Sequence, residues 1–168
     1  MYASQEDRDR DTELGSGRSA AEIVADVDES ASRLTAAIES LDEAARKTMI
    51  RRGAAAAGPA FPAIQIPWMR IREVEIHLVD LGLGPTFSDT PIEFLTALLV
   101  EETPHFDARF VDLELICTEG PTFRIGDGTQ KISGAIADLT AWLLGRANTN
   151  EIARLVSDQP IPTPPKWL

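Results

Sequence analysis

The spacing of hydrophobic residues changes part-way along this 168-residue chain, and that change limits the available folds. From Ile23 to Leu41 apolar residues recur at intervals typical of one face of an α-helix. Between Arg109 and Cys117, by contrast, alternate positions are apolar, which predicts a β-strand. The sequence therefore predicts an α+β chain, with an all-helical part over residues 1–85 and a small α+β domain over residues 86–168.

The first part is predicted to hold two substantial helices. Residues 1–17 are polar and without periodicity, so we expect an extended arm or crossover there. Ser19 and Glu22 form a capping-box pattern that opens a helix running to about Lys47. A loop is predicted over residues 48–66, and a second helix over Pro67–Leu81, which glycines terminate.

The second part is predicted to follow the order α-β-β-β-α-α. Turn residues and capping patterns separate its short periodic segments. The predicted elements are a helix from Thr90 to about Glu102, a strand over Arg109–Cys117, a strand with Phe123 and Ile125, a strand around Ile132 after the Asp127-Gly128 turn, a helix capped by Ser133 and ending near Gly145, and a helix from about Asn150 to Val156.

Charge and cysteine content exclude several classes of function. The formal net charge is −11, and neither half offers a basic face, so we expect neither nucleic acid nor an anionic membrane as a partner. No apolar run approaches the roughly 18 residues of a spanning helix, and the acidic and basic N-terminus does not resemble a signal peptide. The single Cys117 excludes an internal disulfide. These features predict a cytoplasmic protein.

A polar stripe on the helix at Pro67–Leu81 is the most informative feature. On a helical wheel it spans about 80°. The stripe consists of Arg70, Glu73, His77 and Asp80. It borders an apolar arc made of Ile71, Val74, Leu78 and Leu81. Because such an arc is normally covered by neighbouring helices, we expect the stripe to lie close to the interior.

The stripe has two interpretations. Glu73 and His77 lie one helical turn apart and are suitable ligands for Zn²⁺ or a similar divalent ion, while Asp80 would orient the imidazole or act as a further ligand. Alternatively, Arg70 with Glu73 and Glu73 with His77 are ordinary surface pairs. The other histidine, His105, is expected to be a solvated loop residue.

Two further residues are candidates for chemistry. Cys117 lies on the apolar face of a predicted strand, so a buried, inert thiol is the favoured interpretation over a nucleophile. Arg146 follows Gly145 at the end of a predicted helix. It either contacts carbonyl groups at the helix end, which the sequence favours, or reaches a ligand between the domains.

Three segments of the sequence resemble one known family. They are the start of the chain, Met1-Tyr2-Ala3-Ser4 followed by charged residues and Gly15-Ser16-Gly17-Arg18, the helix over Pro67–Leu81, and the stretch from Ser133 to Arg146. Together they resemble the mycothiol-dependent maleylpyruvate isomerase-like proteins of actinobacteria, which belong to the DinB-like metal-binding group. The resemblance implies a DinB-like helical bundle followed by a small sterol-carrier-like α+β domain.

The resemblance also implies a site. Glu73 and His77 would bind a divalent metal, usually zinc, with a third histidine from an earlier helix. Asp80 and Arg146 would assist catalysis, and mycothiol would be the thiol cosubstrate for isomerisation or thiol transfer on a small molecule. No histidine precedes His77, so we expect the first bundle helix to be absent. The alternative is a non-catalytic binding or remnant protein that keeps the fold and binds an apolar small ligand. In either case we expect self-association through the bundle face that the absent helix would leave uncovered.

Overall fold

The computed structural model describes residues 4–51, 60–106 and 112–164. The chain divides into two compact units, residues 1–71 and 72–168. Helices and small β-sheets are both present, in agreement with the predicted mixture of α and β structure. The DinB-like bundle, the sterol-carrier-like domain and the division near residue 85 stay predictions.

The first unit contains helices and one pair of short strands. Its elements are α1 (Gln5–Ser16), α2 (Ala20–Glu39), α3 (Glu43–Lys47), β1 (Met49–Arg51), β2 (Ala60–Pro62), a 3₁₀ turn (Ala63–Gln65) and the first part of α4 (Ile66–Asp80).

Helix α1 occupies a segment that was expected to be an extended arm, so that expectation was wrong. Ser4 caps the helix by accepting a hydrogen bond from the Asp7 backbone at 3.1 Å. Side-chain pairs one turn apart, such as Gln5 with Asp9 at 2.7 Å, support it further. None of its residues is buried. Local polar contacts therefore stabilise this helix. An analysis of apolar periodicity does not detect such a helix, because it has no buried apolar face.

The helix predicted from Ser19 to Lys47 is divided in two. The capping box of Ser19 and Glu22 is confirmed at the start of α2. The helix ends at Glu39, and Asp42 caps the separate helix α3 by accepting from the Ala45 backbone at 2.7 Å. An aspartate that satisfies free backbone N–H groups favours a new helix start over continuation.

The segment after α3 was expected to be a loop and is partly β-structure. Strands β1 and β2 pair antiparallel, with Ile50 opposite Phe61. The predicted loop also includes residues 52–59, which lie outside the described residues. Helix α4 then follows, and its bounds confirm the helix predicted over Pro67–Leu81 to within one residue at each end.

The second unit carries a four-stranded sheet and three helices beyond α4. Its elements are a 3₁₀ turn (Phe87–Asp89), α5 (Ile92–Phe106), β3 (Leu113–Cys117), β4 (Thr122–Ile125), β5 (Gln130–Gly134), α6 (Ile136–Leu143), α7 (Thr149–Arg154) and β6 (Val156–Ser157). The strand order is β4-β3-β5-β6. The part of the predicted strand over residues 107–111 lies outside the described residues.

The core of this unit confirms the predicted alternation. Leu113, Leu115 and Cys117 are buried on one face of β3, and Leu139 and Trp142 of α6 are buried as well. Neighbouring residues of β3 are more exposed, as a strand covered on one face requires. The apolar face of the sheet and helix α6 thus contribute the buried core of this unit.

Strand β5 takes a different partner from the one expected. A turn of the Asp127-Gly128 type usually joins two strands that pair with each other, but β5 pairs parallel with β3, with Leu115 opposite Ile132. Gly126 and Gly128 adopt φ of 62° and 72°, a conformation that favours glycine, so the chain can turn back sharply here. This pairing makes the apolar strand β3 central in the sheet.

The start of α6 also differs from the prediction. Ser133 lies within β5 and does not cap the helix, and Ala135 at the N-cap makes no side-chain bond. Instead the carboxylate of Glu119 accepts hydrogen bonds from the Ile136 N–H at 3.0 and 3.1 Å. A carboxylate from a distant loop thereby caps the N-terminus of the helix.

Among the described residues, no helix has both the length and the hydropathy that crossing a bilayer demands.

Candidate metal centre

The polar stripe of α4 forms a connected chain of contacts in the second unit. The Nε2 atom of His77 lies 3.4 Å from Oε2 of Glu73, and its Nδ1 atom lies 2.8 Å from Oδ2 of Asp80. Both ring nitrogens therefore face a carboxylate. The spacing of three and four residues places all three side chains on one side of the helix, as the sequence predicted.

Arg146 extends this chain of contacts from α6. Its Nε and Nη2 atoms donate to the two carboxylate oxygens of Asp80 at 2.6 and 2.8 Å. Its Nη1 atom donates to the Leu144 carbonyl at 3.0 Å, which confirms the expected contact with a carbonyl at a helix end. The fork of two parallel bonds to Asp80 lies between residues 66 positions apart, and sequence reasoning missed it.

The turn after α6 positions the side chain of Arg146. Gly145 has φ of 72°, the left-handed conformation common just beyond a helix, as the sequence predicted. Its backbone N–H donates to Trp142, and the Arg146 N–H donates to Ala141 at 2.7 Å. These bonds fix the backbone of Arg146, whose side chain is only 18% exposed.

The electrostatics of Asp80 follow from these contacts. Hydrogen bonds from Arg146 hold the pKa of the Asp80 carboxyl below its ordinary value. Partial burial opposes that change, and the bond with His77 adds to it. Asp80 is therefore held as a carboxylate in contact with the His77 ring, an arrangement that agrees with the first of its two predicted roles.

The expectation that the stripe lies near the interior is wrong. The side chains of His77 and Glu73 are 59% and 47% exposed. On the face of α4 opposite the apolar arc, Ile76 is 1% exposed and the side chain of Arg72 is 13% exposed. The helix therefore buries that face and leaves the apolar arc open, because Arg72 finds carboxylate partners on α5.

Glu73 and His77 fit two positions of a zinc site. Ligands about 2.05 Å from a tetrahedral zinc ion lie about 3.3 Å apart, close to the separation of the two donor atoms here. Asp80 on the second ring nitrogen is the partner that metal-binding histidines usually have. Within residues 4–51, 60–106 and 112–164, however, no group of three potential ligands is assembled.

Only one of the two surface pairs expected on α4 is observed among the described residues. The contact of Glu73 with His77 is present, but Arg70 forms no ion pair with the residues that the structure describes. His105 lies in the last turn of α5, where it is exposed, and not in a loop as expected. The longer helix, which includes Pro104, moves it there.

A cavity of about 260 Å³ opens beside Arg146. Its wall includes Gly82, Pro85, Asn148 and Glu151. Sequence reasoning did not single out Asn148 or Glu151. Their capping-box spacing was the available signal, and they do form that box, with Glu151 accepting from the Asn148 backbone at 2.7 Å.

Cys117 is a poor nucleophile in this environment. The residue is 4% exposed, and burial, assisted by the charge of Glu119, raises the pKa of its thiol to about 11. Because the thiolate is the reactive form, the structure supports the expectation of an inert thiol.

Comparison with known proteins supports a family assignment. Residues 1–82 match the family model described as the mycothiol maleylpyruvate isomerase N-terminal domain. A crystal structure of the mycothiol-dependent maleylpyruvate isomerase aligns with a TM-score of 0.82 and 28% sequence identity, over 99% of this chain and 69% of that chain. A histidine-to-alanine mutant of that isomerase aligns with the same values.

A comparison with curated protein sequences gave no match. The family model accounts for the first half of the chain, and the structural alignment extends the similarity through the sheet and its helices. The chain belongs to the mycothiol-dependent maleylpyruvate isomerase-like family.

Proposed function

We propose that this chain is a mycothiol-dependent isomerase or thiol transferase that uses Zn²⁺ or another divalent metal held by Glu73 and His77. The single observation that carries the proposal is the arrangement of His77, whose two ring nitrogens face Glu73 and an Arg146-bound Asp80. Three ionisable groups are aligned on an exposed helix face, where incoming molecules can reach them. The family similarity supplies mycothiol as the thiol cosubstrate.

His77 is oriented for metal binding by its neighbours. With the Asp80 carboxylate accepting a hydrogen bond from Nδ1–H, the lone pair of the neutral ring lies on Nε2, on the side of Glu73. When bound, a divalent ion would supply Lewis acidity that favours the thiolate form of a thiol. Glu73 and His77 would determine the position of the ion, and with it the position at which the thiol binds.

Arg146 would position the small-molecule substrate. It borders the cavity of about 260 Å³ and also holds Asp80. A guanidinium at the cavity wall attracts an anionic or carbonyl oxygen, while Glu151 on the same wall repels anions placed near it. The cavity would thus orient a polar substrate with its oxygen towards Arg146.

Metal content tests the proposal directly. Purified chain and its His77→Ala, Glu73→Ala and His105→Ala variants would be dialysed against a mild chelator, reloaded with Zn²⁺ and analysed by elemental analysis. We expect the first two variants to lose the metal and His105→Ala to retain it. Equal metal content in all four proteins would refute the assignment of Glu73 and His77.

Substitution of Asp80 should weaken zinc binding without abolishing it. Replacing a carboxylate that orients a metal-binding histidine typically lowers metal affinity about 10–100-fold. We therefore expect Asp80→Asn to lower zinc affinity by this amount, and less than His77→Ala does. Competition with a chromophoric chelator measures it, and an unchanged affinity would show that Asp80 does not act through His77.

One observation favours a non-catalytic protein. The described residues supply two metal ligands, fewer than the three that catalytic zinc sites usually have. In that case the cavity would bind a small apolar ligand without mycothiol chemistry. Thiol-dependent turnover by the zinc-loaded chain would exclude this alternative.

A cytoplasmic location, suggested by the single buried cysteine, belongs to the proposal as well.

A further inference from the structure

A proline-rich segment, residues 160–164, follows strand β6 in the second unit. Every second residue of this segment is proline, which has no backbone N–H to donate. Among the described residues, no hydrogen bond between backbone groups joins the segment to the sheet or the helices. The segment can therefore be held mainly through its carbonyl oxygens, by side-chain donors elsewhere in the unit.

Two buried side chains supply such donors. The Nε2 atom of Gln130, a residue 6% exposed, donates to the Pro160 carbonyl and to Oγ of Ser157, both at 3.1 Å. The indole Nε1–H of Trp142, a residue 1% exposed, donates to the Pro162 carbonyl at 3.1 Å. Because a buried donor without an acceptor is unfavourable, the segment completes the hydrogen bonding of β5 and α6.

Trp142 also belongs to the turn that positions Arg146. Its carbonyl accepts from the Gly145 N–H at 3.0 Å, and the carbonyl of Ala141 accepts from the Arg146 N–H at 2.7 Å. Arg146 in turn donates two hydrogen bonds to Asp80. Trp142 thus contacts the proline-rich segment with its side chain and the arginine turn with its backbone.

We propose that residues 160–164 form an intramolecular strap that fixes the end of α6, and that Trp142 is the positioning residue through which this strap keeps Arg146 on Asp80. The bond to Pro162 restrains the indole ring, and a close-packed core transmits that restraint to the backbone of the same residue. The inference goes beyond the proposed function and does not require a bound metal.

The composition of the strap suits this role. The fixed φ of proline leaves the free segment less conformational freedom to lose when it packs against the unit. Ile161 and Pro162 are half-buried, so the strap also covers part of the unit with apolar groups. Three prolines in five residues therefore favour a packed segment although it forms no strand.

Hydrogen exchange in the full 168-residue chain, followed by NMR, tests this inference. The Nε–H of Arg146 donates to Asp80 at 2.6 Å, so it should exchange slowly with water. Trp142→Phe keeps an aromatic ring in the core and removes the indole donor. We expect exchange of the Arg146 Nε–H to become about 10-fold faster, as for the loss of one ordinary hydrogen bond. Trp68→Phe, the same change on α4, should leave it unaltered.

A second variant alters no buried side chain. Pro160→Gly/Pro162→Gly keeps both acceptor carbonyls but increases the freedom that the strap loses on packing. We expect the Trp142 indole N–H to exchange about 4-fold faster or more, and the Arg146 Nε–H to become faster with it. Circular dichroism checks that each variant is folded.

The possible outcomes separate this inference from the proposed function. Unchanged exchange of the Arg146 Nε–H in Trp142→Phe, or equal acceleration in Trp68→Phe, overturns the inference. Unchanged exchange of the Trp142 indole in the double glycine variant overturns it as well, because the segment then does not hold the ring. Metal content decides the proposed function independently of all three results.

Discussion

Arg72 makes the most buried charged contact of α4, and its removal should destabilise the second unit. Its Nη1 atom lies 3.0 Å from Oε1 of Glu101 and 3.2 Å from Oε1 of Glu102. The Arg72 and Glu102 side chains are 13% and 6% exposed, whereas Glu101 is 34% exposed. Substitution by methionine keeps much of the length and apolar volume of the side chain and removes only its charge and donors.

The structure allows the size of this effect to be worked out. Removing one partner of a buried ion pair costs about 3–5 kcal/mol, because the other charge loses its compensation. Two features reduce that figure for Arg72. The bond to the more exposed Glu101 contributes little, and the buried Nε atom of Arg72 has no hydrogen-bond partner, so its removal relieves a penalty of about 1–3 kcal/mol. We expect Arg72→Met to cost about 2–3 kcal/mol.

Arg70 offers a matched control on the same helix. It is exposed and forms no ion pair in the described part of the chain, so Arg70→Met should change the free energy of unfolding by less than about 0.5 kcal/mol. Urea denaturation followed by tryptophan fluorescence measures both variants, with Trp142 as a buried reporter in the second unit. The double variant Arg72→Met/Glu102→Gln should recover part of the loss. Equal stability of the two arginine variants would refute this reasoning.

Two further predictions concern the core of the second unit. Leu139→Ala removes a side chain that is 0% exposed and should cost about 2–5 kcal/mol in urea denaturation, whereas Leu81→Ala, at a position 64% exposed, should cost less than about 0.5 kcal/mol; similar losses would contradict the burial described here. Cys117, with a pKa raised to about 11, should resist iodoacetamide at pH 8 in the native protein and react after unfolding. Because its folded pKa is raised, its contribution to stability should be complete below pH 9 and disappear as the pH rises towards 11, which urea denaturation at several pH values measures.

Several features of the fold could be predicted because they depend on local sequence. The capping box of Ser19 and Glu22, the bounds of α4 and the alternation along β3 all appear in the structure as expected. The positions of Glu73 and His77 one turn apart follow from helical spacing alone. Helix α1 was missed although it is also local, because polar pairs and a Ser4 cap stabilise it without an apolar face.

The proposed site itself was only partly predictable. That Asp80 orients His77 was one of two roles open from the sequence, and the 2.8 Å contact with Nδ1 agrees with that role. The fork between Asp80 and Arg146 was not foreseen, because no local pattern indicates which of many carboxylates an arginine 66 residues away will meet.

The sequence by itself determined the periodic elements and the spacing of Glu73 and His77, since both depend on contacts within a few residues of the chain. Tertiary structure alone decided that β5 pairs with β3, that Glu119 serves the start of α6, and which face of α4 is buried. Each of those choices joins groups distant in sequence. A strand or helix offers equivalent backbone groups and two usable faces, and only the packing of the whole unit selects among them.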